Sequence, residues 1–433
     1  MPKVSIITPS NDWKWIKQAW PGVRSQTFGG WEWVILYNGP QGEQAAAQAD
    51  VDRWNTERDS FAGRVVFRAE YQHPPRVGAL KRRCCELARG DYVVELDHDD
   101  QLSVDCLDRV VRAFEEGPGE RPVFVYSSDV RVNADGTPNV FGEGWGWEYA
   151  EAVFHGAGGD EKHKIPVTPP VLPQNVSRIW YAPDHVRAWD RKAYWRAGGH
   201  DMEQEVCDDQ DLMCRLYSLG RFAKAEGCLY RYLVHGGNTW LKNQQKIQDL
   251  TVQLHDRYIE GMALARCVAD KLGAFDLGGA FNCPAGWTSV DKQGAMVLAD
   301  LDKRWPWDDS TVGALRAHDV FEHLRDPVHV MNEAWRVLVH GGLLLVEVPS
   351  TDGRGAFQAP DHVSWWNTNS FFYWTREEQQ KYVRHLGAAG KFQLVRALNY
   401  APNPWCQMHN IVYAKVHLAA VKGGPRMHGA LEI

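Results

Sequence analysis

The run DYVVELDHDD, residues 91–100, begins as a short apolar strand and ends with Asp97, Asp99 and Asp100 within four positions. Carboxylates at alternate positions of a strand end can hold a divalent cation, and such a cation neutralises the charge that develops on a departing diphosphate. In that arrangement one aspartate reaches a ribose and the other the metal. Aspartates also end strands simply as solvated turn residues, so the triplet Asp97-His98-Asp99 leaves both readings open. The choice depends on which other polar groups the fold brings to the same place.

The first hundred residues alternate strand-like and helix-like segments. KVSIITPS ends in Pro9-Ser10, WEWVILYNGP in Asn38-Gly39-Pro40, RVVFRAEY is a third strand and DYVVELDHDD a fourth. Continuous apolar strands separated by helices predict a parallel, doubly wound α/β sheet. Ligands of such sheets bind beyond the carboxyl ends of the strands, where Ser10, Asn38, Asp97 and Asp99 fall. The Gly-, Trp- and Pro-rich text from about 121 to 179 reads as an excursion or mobile loop. Regular structure resumes with VRAWDRKAYWRAGG and the helical CDDQDLMCRLYSLG, and a long polar helix over roughly 244–272 follows. It leads into a second series of strands, GAFDLGG, WTSVD, VGALRAHDV and GGLLLVEVPS, with the helix DPVHVMNEAWRVL between the last two. A chain of 433 residues exceeds what one core usually supports. Two doubly wound α/β domains are expected, over 1–262 and 263–420, followed by a flexible tail over 421–433.

The bulk composition, 44% hydrophobic and 24% charged, is that of a globular protein. A net charge of −7 gives no support to non-specific nucleic-acid binding. Twenty tryptophans predict extensive aromatic-lined surfaces. The nine cysteines include no C-x-x-C pair and read as reduced thiols that pack in the core. The N-terminus MPKVSIITPS lacks the apolar centre of a signal peptide, and no apolar run approaches the ~20 residues of a membrane span. A soluble, cytoplasmic protein without an integral membrane segment is expected.

Over roughly residues 3–240 the chain resembles the family 2 glycosyltransferases of the GT-A fold. VSIITPSND is similar to the family's opening strand, and SQTFGGWEWVILYNG to its second strand with the preceding Q-T/S-x-x-x-W-E segment. RVGALKRRCCELARGDYVVELDHDD is similar to the helix that leads into the D-x-D passage. RKAYWRAGGHDMEQEVCDDQDLMCRLYSLG resembles the acceptor-side passage ending E-D-x-D-L-x-x-R, and LYRYLVHGGNTW the family's Y-R-x-H-x-x-S close. The resemblance implies a metal-dependent, inverting transfer of sugar from a nucleotide-sugar donor, a UDP-sugar first among them, to an acceptor hydroxyl. It puts Pro9, Ser10 and Asn38 at the base and ribose, with Asn38 replacing the usual aspartate. Lys81 falls where an arginine often stands near the base and diphosphate. Asp97 would contact ribose or metal, Asp99 would be the chief ligand of Mn2+ or Mg2+, and His235 would complete the metal shell. Asp209 would be the general base that takes the acceptor's proton. A helix cap is its alternative role, compatible with the first, since Asp208-Asp209 immediately precede a helix. Asp211 would fix the loop through Arg215, four residues on.

Residues 270–370 resemble the class I methyltransferases that use S-adenosylmethionine. DLGGAFNCPAGWTSVD is similar to the family's glycine turn and following acidic strand end, and HDVFEHLRDP and VLVHGGLLLVEVP to its later strands. The resemblance implies a Rossmann-like fold with Gly278 and Gly279 at the cofactor's methionine part, Asp291 on the ribose hydroxyls and Asp300 near the adenine. Ala280 stands where the family's G-C-G turn has its last glycine. His318, His323 and His362 lie near the expected pocket, without an assigned role. The fusion predicts successive glycosylation and methylation of one product. The alternative is transfer to modified, phage-type DNA or to protein, with the second domain a non-catalytic scaffold that binds the acceptor.

Overall fold

A computed structural model describes residues 1–57, 63–71, 76–117, 119–140 and 148–423. The chain divides into two compact units, Met1–Tyr258 and Ile259–Ile433. This division, like the boundary expected near 262, falls inside the long helix Gln244–Asp270. Most of the expected tail lies outside the described residues. Among the described residues, no helix is long and apolar enough to cross a membrane.

The first unit is built on one mixed sheet. Its strands are β1 (Val4–Ser10), β2 (Trp31–Tyr37), β3 (Arg64–Ala69), β4 (Tyr92–Glu95), β5 (Gln101–Leu102), β6 (Phe124–Asn133), β7 (Tyr149–Gly156), β8 (Gly159–Pro166), β9 (Arg187–Asp190) and β10 (Phe222–Val234). Their order is β3-β2-β1-β4-β9-β6-β10-β7-β8, with β5 paired to β10. The strands β3, β2, β1 and β4 run parallel, as their apolar composition requires, and every residue of β2 is buried. Asp12 caps the helix Trp13–Arg24 that follows β1, accepting from the Lys14 amide at 2.8 Å. Trp20, Trp33 and Trp54 stack beneath the sheet, with the Trp20 and Trp54 rings 4.6 Å apart. Several tryptophans thus build the core rather than the expected aromatic surfaces: Trp33, Trp189, Trp305 and Trp366 are all fully buried.

Two features depart from the sequence expectation. The segment from 121 to 179 is no excursion: β6 lies in the body of the sheet, β7 and β8 form an antiparallel hairpin beyond β10, and residues 141–147 lie outside the described residues. β9 runs antiparallel to both its neighbours, β4 and β6. Its start therefore lies at the edge where β4 ends, with Glu95 paired to Arg187.

The second unit has a seven-stranded sheet of β11 (Gly273–Leu277), β12 (Thr288–Asp291), β13 (Val297–Leu298), β14 (Val312–His318), β15 (Leu338–Pro349), β16 (Phe392–Tyr400) and β17 (Tyr413–Ala420), in the order β13-β12-β11-β14-β15-β17-β16. The first five are parallel and the reversal between β11 and β14 is that of a doubly wound sheet. β17 is antiparallel to both β15 and β16. The helix Pro327–Val337 starts at Asp326, which accepts from the amides of Val328 and His329, and has Pro327 in its first turn. It buries Val330, Met331, Ala334 and Val337, one stripe at helical spacing.

Candidate active site

The parallel strands of the first unit deliver Ser10, Asn38, Asp97 and Asp99 to one edge. The Asn38 amide donates to the Ser10 carbonyl at 2.7 Å, tying the ends of β1 and β2 together. The Ser10 hydroxyl lies 2.9 Å from His98 Nδ1, and burial holds that imidazole's pKa below its usual value. β10 runs parallel to β6, so its last residues reach the same edge, and His235 Nε2 lies 2.7 Å from Asp99 Oδ2. The Trp15 ring stacks on His235 at 5.1 Å. Asp100 turns inward and accepts the Leu233 amide at 2.7 Å, pinning β10 against the acidic turn. Asp97 is half-buried; its amide donates to the Tyr230 hydroxyl at 3.0 Å, and burial, together with the charge of Asp99, raises its pKa.

Behind this edge lies a buried ionic network that sequence reasoning did not anticipate. Lys81 Nζ stands 2.8 Å from Glu95 Oε1 and 3.2 Å from Asp208 Oδ2, and all three side chains are at most 7% exposed. The ammonium keeps its proton despite burial because Asp208, Glu95, Asp97 and Asp209 surround it. Burial pushes the Glu95 carboxyl up to about 7. Glu95, Asp97 and His185 bring ligand-type atoms within 4.8 Å of one another, and the His185 ring stacks on Tyr230. Burial drives the His185 imidazole well below its ordinary pKa, so it is neutral.

Asp209 lies in the first turn of the helix Asp208–Tyr217, with Asp208 and Asp211. One of its oxygens is paired with the Arg187 guanidinium and the other accepts the Gln210 amide at 2.7 Å. Asp211 pairs with Arg215 as their spacing predicts, and also accepts from the Tyr258 hydroxyl at 2.8 Å. The structure therefore gathers Ser10, Asn38, Lys81, Asp97, Asp99, His235 and Asp209 in one region, while Pro9 contributes β1 backbone beside Leu36. Glu95 could have been found as the one charge within an apolar run. Arg187 opens the basic run Arg187–Arg196, which the sequence offers only as positive charge for a DNA acceptor; its place at this edge comes from the antiparallel direction of β9.

In the second unit, Gly278 and Asp291 end adjacent parallel strands, and the Gly278 amide donates to the Val290 carbonyl at 2.8 Å. Gly278 has φ +72°, and a Cβ there would meet the Val320 side chain at 2.9 Å; at Gly279 a Cβ would meet Asp276 Oδ2 at 2.3 Å. The turn is thus a cradle that only glycine leaves open. Gly278→Ala is expected to destabilise this unit by roughly 1–3 kcal/mol, read as a lower melting temperature of the full chain. Asp300 follows β13, whose Leu298 pairs with Asp291, and its carboxylate lies between Lys292 at 3.2 Å and Lys303 at 3.4 Å. Sequence reasoning missed Asp276, a buried acid at the base of the turn held by Arg316 at 2.8 Å. The signal was an aspartate inside the strand GAFDL. Glu322 is also buried, and desolvation pushes it up to about 8.

Residues 5–135 match the family model described as Glycosyl transferase family 2, and residues 284–346 the one described as Methyltransferase domain. The N-terminal unit accordingly contains a segment that matches the family 2 glycosyltransferases, and the C-terminal unit a segment that matches a methyltransferase domain. The first match includes Pro9 to Asp99 and stops before Asp209 and His235; the second begins beyond Gly278 and Gly279. Among curated proteins, a chondroitin synthase of Pasteurella multocida is 22% identical over 39% of this chain and 15% of its own length. An uncharacterized protein of Sinorhizobium fredii is 26% identical over 31% of this chain and 14% of its own. The chain thus spans only about a seventh of the length of these relatives. Among solved structures, S. aureus TarS 1–349 in complex with UDP-GlcNAc has a TM-score of 0.41 at 15% identity, over 61% of this chain and 73% of that one. A mannosyltransferase of Pyrobaculum calidifontis, in complex with GDP-Man and Mn2+, has a TM-score of 0.37 at 15% identity, over 63% and 76%.

Proposed function

We propose that the N-terminal unit transfers a sugar from a nucleotide-sugar donor to an acceptor hydroxyl in a metal-dependent, inverting reaction. The observation that carries this reading is the contact between Asp99 and His235, 136 residues apart in the chain, at the edge where Asp97 follows β4, with Asp209 held beside that edge by Arg187. Glu95, Asp97, Asp99, Asp208 and Asp209 are five carboxylates against two permanent cations, Lys81 and Arg187. That deficit of positive charge fits a divalent ion, Mn2+ or Mg2+, held by Asp99, Asp97 and His235. When bound, the ion supplies charge neutralisation for the departing diphosphate. Pro9, Ser10 and Asn38 frame the nucleotide. Lys81 acts behind them, its ammonium setting the positions of Glu95 and Asp208. Asp209 accepts the acceptor's hydroxyl proton as that oxygen bonds to the anomeric carbon and the bond to diphosphate breaks. Hydrolysis and transfer assays over a panel of nucleotide sugars, UDP-sugars first, with and without Mn2+, test this reading. Turnover of no donor, or turnover indifferent to chelation, would sink it.

For the C-terminal unit the proposed ligand is S-adenosylmethionine. The glycine cradle fits a cofactor that needs close backbone approach, with Asp291 beside it for ribose hydroxyls. Its role would be methylation of the glycosylated product. Saturating cofactor at about 100 times Kd stabilises a protein by about 2.7 kcal/mol, so a rise of several degrees in the melting temperature is expected. No shift at millimolar cofactor would instead make this unit a scaffold.

A further inference from the structure

We infer that Glu322, His323 and His362 form a binding site for a divalent first-row transition-metal ion in the second unit, with open positions for oxygen ligands. The site is independent of the sugar-transfer reading and of the acidic edge in the first unit.

The three side chains bring one ligand atom each within 4.8 Å of one another. Glu322 and His323 sit in the short turn Phe321–His323 after β14, and His362 arrives from the segment after β15. The two segments are locked together. The amides of Val363 and Ser364 both donate to the Glu322 carbonyl, at 2.8 and 3.1 Å, and the Ser364 hydroxyl donates to the Phe321 carbonyl at 2.9 Å. The ligand set is therefore held by backbone contacts and does not depend on a cation to assemble.

Glu322 points to an ion most directly. Its side chain is 3% exposed, its Oε2 is buried without a hydrogen-bond partner, and its Oε1 lies 4.0 Å from His362 Nε2. A buried carboxylate oxygen with nothing to bond is expensive unless a cation or proton meets it. His362 turns its Nε2 toward this carboxylate, and in both imidazoles the other contact shown is made through Nδ1. His362 Nδ1 is 2.9 Å from the Ala356 carbonyl and His323 Nδ1 is 3.2 Å from the Asp361 carbonyl. A carbonyl only accepts, so each Nδ1 must carry the hydrogen and each Nε2 is left unprotonated. Metal-binding histidines are typically fixed in this way, through the ring nitrogen that does not touch the metal. The rings stand edge to face, with centroids 5.1 Å apart.

Two imidazoles with one carboxylate suit Zn2+, Mn2+, Fe2+ or Co2+ better than Mg2+ or Ca2+, which take oxygen ligands. Nitrogen and oxygen ligands at ~2.0–2.2 Å from an ion lie about 3–3.5 Å apart in a tetrahedral shell, so side-chain rotations suffice to close the cluster. Three protein ligands leave coordination positions open. Val320, two residues before Glu322, packs against Gly278. The ion would thus stand beside the glycine cradle, where the natural oxygen ligand is a hydroxyl or carboxylate of a small acceptor.

The full-length wild-type chain, stripped with chelator, is titrated with Co2+ by visible absorption and with Zn2+ by calorimetry. Besides any ion held at the acidic edge of the first unit, one equivalent is expected to bind with the d–d bands of a nitrogen-containing shell and to survive excess Mg2+. His362→Ala and Glu322→Gln should each weaken that equivalent at least tenfold, and Asp99→Asn should leave it in place. His323→Ala, at a partly exposed ring, gives the same reading should the buried positions not tolerate substitution; circular dichroism checks the fold of each. Absence of a bound equivalent, or binding that His323→Ala leaves unchanged, would overturn the inference. Displacement by Mg2+, or loss in Asp99→Asn alone, would overturn it equally.

Discussion

Asp209→Asn should abolish most sugar transfer while leaving the fold and donor binding intact. Asparagine has nearly the shape of aspartate, and its carbonyl oxygen can still accept the Gln210 amide that now bonds Asp209 Oδ1 at 2.7 Å. What it cannot do is accept a proton from a hydroxyl. On the proposed assignment kcat falls by roughly 10²–10⁴-fold, with the donor KM little changed, the signature of an interaction used only in the transition state. The substitution also removes the partner of Arg187, whose side chain is 4% exposed. That guanidinium still faces Glu95, Asp97 and Asp208, so it is not stranded. The melting temperature should therefore move little. Asp208→Asn provides the contrast: its carboxylate is buried against Lys81, and its loss should register chiefly in stability. Steady-state kinetics against donor and acceptor, with thermal unfolding of both variants, separates the roles. An Asp209→Asn chain that keeps half of the wild-type kcat would end the base assignment.

Much of this arrangement is legible in the amino-acid sequence, for a simple physical reason. Buried parallel strands are unbroken apolar runs, and a polar residue that ends one must lie at the sheet's edge. That logic finds Ser10, Asn38, Asp97 and Asp99 directly, and the ends of β11 and β12 at Gly278 and Asp291. It fails where direction reverses. Nothing local in RAWD says that β9 is antiparallel, yet only that direction brings Arg187 to Asp209. Likewise β16 and β17 were not foreseen, because their pairing is decided by the edge that β15 leaves open. Burial of charge is equally hidden. Lys81 sits among Arg82 and Arg83 in a polar-looking helix segment, and only the packing of that helix against β1 and β2 makes it an interior residue. The resemblance put positive charge near the nucleotide; the structure shows that charge already shared between Glu95 and Asp208.

Lys81→Met should therefore be the most damaging single substitution to stability in the first unit. Methionine fills about the same volume and carries no charge, so the change tests the ionic contact rather than packing. Removing one partner of a buried ion pair leaves the other uncompensated and costs about 3–5 kcal/mol. Here two carboxylates, Glu95 and Asp208, lose their counter-ion together, with Asp97 and Asp209 nearby. For a unit of this size each kcal/mol lowers the melting temperature by about 2–4 °C, so a fall of roughly 6–20 °C is expected. The effect should also depend on pH. Burial already raises Glu95 to about 7, above its ordinary value. A carboxyl raised in the folded state binds more protons folded than unfolded, so stability is lost as pH rises from the unfolded pKa through the folded one. Without the ammonium the folded value rises further and that window widens upward. The variant should accordingly lie nearest to wild type at about pH 5, where Glu95 is protonated in the folded state, and furthest from it at about pH 8. Adding Glu95→Gln to Lys81→Met removes one of the stranded charges and should recover part of the loss at pH 8 while changing little at pH 5. Thermal unfolding of the single and double variants at both pH values decides the matter. A single variant that melts within about 2 °C of wild type at pH 8 would mean that the ammonium does not balance these carboxylates.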